Sequence, residues 1–155
     1  MNASTARALF LGLLVAVWVW VSGMARLRVD IWPGIVALGC YYAAGGGVSG
    51  LQKTVIGTLS GVVWVLVAAA VRVAIGGTSI VTALIAGAMV CGIVLLARVP
   101  FLGFIAGALA GAGVAWGLGV NTLNEAIRVA IALIVGAVLG LVAERLAGAV
   151  AARRA

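Results

Sequence analysis

Asp30, Glu125 and Glu144 are the whole acidic complement of this 155-residue chain, which has no histidine. General acid and base work needs ionisable groups placed together, and these three stand far apart. Asp30 follows Arg28 by two residues and reads as half of a surface pair. Glu125 stands three residues after Thr122, so T-L-N-E reads as a capping box opening a helix, with Arg128 one turn on as a partner. Glu144 adjoins Arg145 and reads as the polar end of that same helix. Catalysis is not expected, nor is a cofactor or a metal. Cys40 and Cys91 fall inside apolar runs, match no metal spacing such as C-x-x-C, and read as buried free thiols.

The remaining candidates for chemistry are hydroxyls, aromatic rings and exposed backbone, and they concentrate in the first half. The stretch YYAAGGGVSG, Tyr41 to Gly50, joins two tyrosines to three consecutive glycines. Each glycine weakens a helix by roughly 1 kcal/mol relative to alanine, so a helix is expected to end or unwind at Gly45, Gly46 and Gly47. Irregular backbone at membrane depth is tolerated only where protein buries it or where it lines a wet cavity. Downstream, Thr54, Thr58 and Gly61 share a helix face by their spacing, with Trp64 one turn beyond. Tyr41, Tyr42, Gly45, Gly46, Gly47, Ser49, Thr54, Thr58, Ser60 and Trp64 therefore form a candidate substrate pathway. In the competing reading the hydroxyls bond backbone carbonyls inside a bundle and the tyrosines anchor at an interface.

Composition sets the solvent in which these residues act. Some 66% of the chain is apolar and 8% charged, against about half and a quarter in soluble domains. An integral membrane protein is expected, with the lipid bilayer as its first partner. The net charge of +7 does not point to nucleic acid, because the basic residues are spaced singly between apolar runs, as topology markers are.

Each span needs about 20 apolar residues. Charges and turn formers divide the chain into six, near 8–25, 31–45, 51–75, 78–97, 101–120 and 124–145. The fold expected is all-α: a polytopic membrane helical bundle of about six transmembrane helices in one domain over residues 1–155. Six spans put both termini on one side. Arg7, Lys53, Arg98, Arg145, Arg153 and Arg154 fall on that side, against Arg26, Arg28, Arg72 and Arg128, so the termini are expected in the cytoplasm. A removable signal peptide is the competing reading of the first span, since Gly23 and Ala25 suit a cleavage site, but Trp18 and Trp20 suit an interface or packing role better.

Many of the 23 glycines fall four apart: Gly46 and Gly50, Gly57 and Gly61, Gly103 with Gly107 and Gly111, Gly113 and Gly117, Gly136 and Gly140. Each pair clears one helix face for close approach of another backbone. Tight packing and a homo-oligomer are expected from these GxxxG faces. Pro33 opens the second span and Pro100 the fifth, and each then runs into glycines. Glycine-interrupted segments at matching positions point to two inverted three-helix halves with a site between them.

The residues W-V-W at Trp18 to Trp20, Trp32 with Gly34, L-G-C-Y-Y-A at Leu38 to Ala43, G-G-V-S-G-L at Gly46 to Leu51 and L-S-G-V-V-W at Leu59 to Trp64 resemble the YcdZ-like family of small bacterial inner-membrane proteins. That family has no known function, so the resemblance implies a location and a span count and supplies no catalytic residues. More distantly, a tryptophan before a span followed by G-T-L-S-G at Gly57 to Gly61 is similar to the membrane half of fusaric-acid-resistance and aromatic-acid exporter proteins, which implies transport. Coupled carriers usually bury carboxylates, and none is expected buried here. The function expected is thus a channel or transporter for a small neutral or weakly polar solute. The alternative is a non-transporting scaffold or accessory subunit that binds a partner through its glycine faces.

Overall fold

The computed structural model describes residues 3–24, 30–96 and 98–152. Arg26, Arg28, Arg153 and Arg154, and with them the Arg28–Asp30 pair and part of the charge bias, lie outside the described residues. Six α-helices and no strand occur among the described residues: α1 (Ala3–Met24), α2 (Trp32–Ala43), α3 (Gly47–Ile75), α4 (Ser79–Leu96), α5 (Ile105–Gly117) and α6 (Leu123–Ala152), with a 3-10 turn at Pro100–Leu102 before α5.

Length sorts these helices into two kinds. At 1.5 Å per residue, α3 and α6 run about 43 and 45 Å, whereas α2 and α5 reach only about 18 and 20 Å, short of a hydrocarbon core of about 30 Å. Among the described residues, three helices are long and apolar enough to cross a membrane: Gly47–Ile75, Ser79–Leu96 and Leu123–Val150. They fit a membrane protein, as do the large side chains left exposed on their outer faces, such as Ile80 and Leu84 of α4. Six helices are therefore present where six spans were expected, but the second and fifth are half-length. The sixth does not end near Arg145 and continues to Ala152, so Glu144 lies within a helix instead of at its end.

The two short helices start and stop by the same devices. Proline sits in the first turn of α2 and opens the 3-10 turn that leads into α5, where its missing N–H costs nothing. At the other end, Gly45 N–H donates to Tyr42 O and Gly46 N–H to Tyr41 O, both at 3.1 Å. The same pair closes α5, with Gly119 N–H donating to Trp116 O and Val120 N–H to Ala115 O, both at 3.0 Å. This is the Schellman motif, which puts a left-handed residue just past the helix. Gly45 and Gly119 supply it, at φ 97° and 66°. Gly46 and Gly47 also have positive φ, at 68° and 65°, so the glycine triplet is a reversal between α2 and α3. It does not unwind a continuing helix.

Each short helix is held along the long helix of the other half by glycine. A side chain at Gly61 of α3 would bring its Cβ within 2.5 Å of the Ala112 nitrogen and against the Ala108 carbonyl of α5, and one at Gly111 would strike Thr58 backbone. On the other side, a Cβ at Gly136 of α6 would strike the Gly34 backbone of α2. Contacts advance together, Gly57 with Phe104 and Gly61 with Ala108, then Gly34 with Gly136 and Tyr41 with Gly140. So α5 runs parallel to α3, and α2 parallel to α6. Because the Gly45–Gly47 turn reverses the chain, α3 and α6 are antiparallel. The outer helices complete the arrangement, α1 packing on α6 and α4 on α3, with Trp64 lying over Gly92. The buried core between them is mostly alanine and valine, with Leu133 the largest aliphatic side chain that is fully buried, as close backbone approach requires.

Candidate functional site

Polar side chains meet at the two ends of the bundle, once around each turn that follows a short helix. At the first end, Tyr41 is fully buried, with its ring lying on Gly140 of α6, where an added Cβ would come within 2.5 Å of Tyr41 Cδ1. Its hydroxyl donates to Glu144 Oε2. Gly47 N–H donates to the Tyr41 oxygen at 2.8 Å and to Glu144 Oε2 at 2.9 Å. The first free N–H of α3 is thereby satisfied by a carboxylate, which the helix dipole also favours. Glu144 is half-buried and ties α6 to the α2–α3 turn.

At the opposite end, Arg72 in the last turn of α3 donates through its Nη2 to Asn121 Oδ1 at 2.6 Å, across to the α5–α6 turn. Asn121 in turn donates through Nδ2 to Gly119 O at 2.6 Å. The capping box forms as its spacing predicts: Thr122 N–H and Asn121 N–H donate to Glu125 Oε2 at 3.0 and 2.9 Å, and Glu125 N–H to Thr122 Oγ1 at 3.4 Å. Arg72, Asn121 and Trp116 border a half-open cavity of about 220 Å³ whose other walls include Val65, Ala69 and Ile85. A second hollow of about 120 Å³ beside it is bordered by Asp30, Glu125 and Arg128.

The residues singled out as a pathway are not gathered around one space. Thr54 and Thr58 are fully buried on the α3 face that packs on α5. Thr58 Oγ1 donates to Thr54 O at 2.8 Å, and Ser60 Oγ to Gly57 O at 2.7 Å, the local backbone bonds of hydroxyls inside a helix. Thr54 Oγ1 is buried and has no partner among the described residues. Trp64 faces α4 and borders a separate groove with Val67, Ile85 and Met89. Tyr42 is 38% exposed and meets Tyr41 edge to face, ring centres 5.2 Å apart. Ser49 is exposed, and Gly45, Gly46 and Gly47 form the turn itself. What the structure does bring together from this set is Tyr41 with Gly46 and Gly47, and the residue that joins them is Glu144. Its signal was present in the spacing: Gly136, Gly140 and Glu144 repeat at four, so the carboxylate continues the glycine face of α6.

The family model described as "Protein of unknown function (DUF1097)" matches residues 8–148. The chain belongs to the DUF1097 family. No curated protein and no solved structure matches it. The match runs from α1 to near the end of α6, so the polar groups at both ends of this DUF1097 chain lie within the family's extent. Among the described residues no three His, Cys, Asp or Glu side chains are grouped to hold a metal ion. Cys40 is half-buried and Cys91 exposed, on an outer helix, where a buried pair of thiols was expected.

Proposed function

We propose that this chain is a small multi-pass protein of the bacterial inner membrane that passes a small solute across it, and that it is built from two inverted three-helix halves. The observation that carries the reading is the correspondence between the halves. Gly34, whose backbone meets Gly136, stands eleven residues before the Schellman glycine Gly45; Ala108, whose backbone meets Gly61, stands eleven before Gly119. The order of elements repeats too: an outer helix, a short helix closed by glycine, then a long helix, with each short helix parallel to the other half's long one. Because α3 and α6 are antiparallel, the operation relating the halves inverts them.

Short, glycine-ended helices at matching positions of inverted halves are the arrangement that secondary transporters use to build a site which opens to either side in turn. The resemblance of Trp18 to Trp64 to YcdZ-like inner-membrane proteins, and of Gly57 to Gly61 to exporter membrane halves, supports the same reading. Cytoplasmic termini follow from the basic residues. Self-association stays part of the proposal, with the open side of α5 as its face: Gly113 has nothing within 4 Å of an added side chain, whereas Gly34, Gly61, Gly111 and Gly136 are consumed inside the chain. A non-transporting scaffold is the competing reading.

Purified protein reconstituted in liposomes, tested with a panel of small neutral and anionic solutes, decides between them. Solute-dependent flux above protein-free liposomes is expected. Folded, correctly inserted protein that moves none of the panel leaves the scaffold reading standing.

A further inference from the structure

Basic residues mark two levels on the long helices. Lys53 and Arg72 stand 19 residues apart on α3, about 28 Å along its axis, and Arg128 and Arg145 stand 17 apart on α6, about 26 Å. Both separations approach a hydrocarbon core of about 30 Å. Because α3 and α6 are antiparallel, Arg72 and Arg128 share one boundary of that core, and Lys53 and Arg145 the other.

At the Arg72 boundary the bundle is open. The cavity of about 220 Å³ lies among α3, α4 and the end of α5, with Arg72, Asn121 and Thr82 as its polar residues. Arg72 is half-buried, and its stem lies beside Gly77, where an added Cβ would meet Cγ at 3.4 Å. Its guanidinium bonds a neutral amide, Asn121, and among the described residues no carboxylate pairs with it. Glu125, the nearest acid in sequence to Asn121, is engaged by the backbone N–H groups of the α6 cap and borders the neighbouring hollow with Arg128.

Trp116 borders this cavity and also an apolar groove of about 350 Å³ between α4 and α5, where Met89, Val90, Leu109 and Gly113 form much of the wall. Val90, Leu109 and Trp116 are exposed, so the groove faces outward from the bundle. Glycine keeps it clear, since a Cβ at Gly113 would meet nothing within 4 Å. As α5 runs parallel to α3, Trp116 lies toward the Arg72 end, and Leu109, seven residues earlier, lies about 10 Å deeper. That depth falls within the roughly 15 Å of hydrocarbon in one leaflet. A polar recess at the boundary therefore adjoins, across an indole, an apolar groove that stays within one leaflet.

We infer that this recess and groove together bind one anionic phospholipid, its phosphate accepting from Arg72 and Asn121 and one acyl chain lying between α4 and α5. A guanidinium offers two N–H bonds to phosphate oxygens, and basic recesses between membrane helices suit anionic head groups. The self-association proposed for the open side of α5 competes for the same groove. Arg72 favours the lipid: a second copy, with ten basic residues against three acidic ones, brings a guanidinium more repulsion than pairing. The inference rests on the membrane setting and not on transport.

Native mass spectrometry of the full chain, released from a neutral detergent, tests it with phosphatidylglycerol as the probe. Phosphatidylcholine and glycerol phosphate serve as comparisons. A one-to-one phosphatidylglycerol adduct is expected, with phosphatidylcholine at least about fivefold weaker and glycerol phosphate, which has no chain for the groove, at least about tenfold weaker. Arg72→Gln lowers phosphatidylglycerol occupancy about tenfold, whereas Arg128→Gln at the same boundary leaves it within about twofold. Gly113→Leu, which fills the groove and leaves the guanidinium in place, also lowers occupancy about tenfold without lowering the melting temperature. Equal binding of the two lipids overturns the inference, as does an Arg128→Gln loss matching that of Arg72→Gln, since charge at that face is then enough. It is overturned too if glycerol phosphate binds as well as the lipid and Gly113→Leu changes neither, because Arg72 then holds free phosphate. A dimer lost in Gly113→Leu while the lipid adduct persists gives the groove to a second copy and ends the lipid reading.

Discussion

Tyr41 and Glu144, 103 residues apart in sequence, share a hydrogen bond across the interface of α2 and α6. The bond closes a triangle with Gly47 N–H, which donates to both oxygens. Three groups that would each be costly to leave unpaired in an apolar setting satisfy one another. Tyr41→Phe removes the hydroxyl and leaves Gly47 and Glu144 bonded, so a loss of about 1 to 2 kcal/mol is expected. Glu144→Leu leaves the Tyr41 hydroxyl without its acceptor and Gly47 N–H with the Tyr41 oxygen alone, and is expected to cost more. A double-mutant cycle of Tyr41→Phe with Glu144→Gln, read by unfolding in detergent, is expected to give a coupling of about 0.5 to 3 kcal/mol. Strictly additive losses would mean that the two side chains do not act as a unit.

The glycine triplet separates two costs that usually arrive together. Gly45 has φ 97° and open space beyond it. Gly46, at φ 68° and ψ −170°, would set a Cβ 2.9 Å from Glu144 Oε2. Its backbone region is nearly confined to glycine and costs other residues about 1 to 3 kcal/mol. Gly46→Ala is therefore expected to lower thermal stability more than Gly45→Ala. In a Glu144→Ala background, where the clashing carboxylate is gone, the added cost of Gly46→Ala is expected to shrink toward that of Gly45→Ala. Equal losses at Gly45 and Gly46 would show that backbone strain alone is at work. Gly46→Leu is expected to lower stability and any flux together, because the position is a structural contact.

Much of this fold could be read from the residues, and the part that could not has a physical reason. Charges, prolines and the glycine triplet mark six helices, because each interrupts an apolar run in a way lipid does not forgive. Which side of each helix faces which neighbour is far less legible. Helices that are apolar all round carry little amphipathic signal, so the Thr54–Thr58 face of α3 reads as well for a conduit as for a packing surface bonded to its own carbonyls. In the structure that face lies against α5. Glu144 was hidden by its neighbour Arg145: adjacency in sequence suggested a helix end, while four-residue spacing from Gly136 and Gly140 put it on the packed face. By sequence Arg72 reads as a topology marker; among the described residues its hydrogen-bond partner is the distant Asn121.

The glycines of α3 and α5 predict a rank order. A Cβ at Gly61 meets backbone, including the Ala112 nitrogen at 2.5 Å, and backbone cannot move without parting the helices. One at Gly107 meets the Phe104 ring, a side chain that can swing, and one at Gly113 meets nothing within 4 Å. Gly61→Ala is expected to destabilise most, Gly107→Ala to cost less, and Gly113→Ala to stabilise by about 0.5 to 1 kcal/mol, the usual helix preference for alanine. Melting temperatures of the three variants in one detergent check this. A Gly61→Ala protein as stable as the parent would contradict the close approach of α3 and α5.

The last prediction concerns the inversion of the two halves, and it can be read without knowing any solute. Gly45 and Gly119 close α2 and α5 by the same motif, but α2 runs parallel to α6 and α5 parallel to α3, which is antiparallel to α6. The two turns must then lie at opposite ends of the bundle, and in a bilayer at opposite faces. Cys40 and Cys91 are first replaced, since Cys91 is exposed. A single cysteine is then placed at Ala44, next to the first turn, or at Asn121, next to the second, and sealed vesicles of known orientation are treated with a membrane-impermeant thiol reagent. Labelling from opposite sides is expected. With cytoplasmic termini, the Ala44 position labels from the cytoplasm, because α3 starts and α6 ends at that face, and the Asn121 position labels from outside. Both positions labelling from one side would mean that the halves are parallel in the membrane, and the proposal of an inverted pair would fall with the correspondence that supports it.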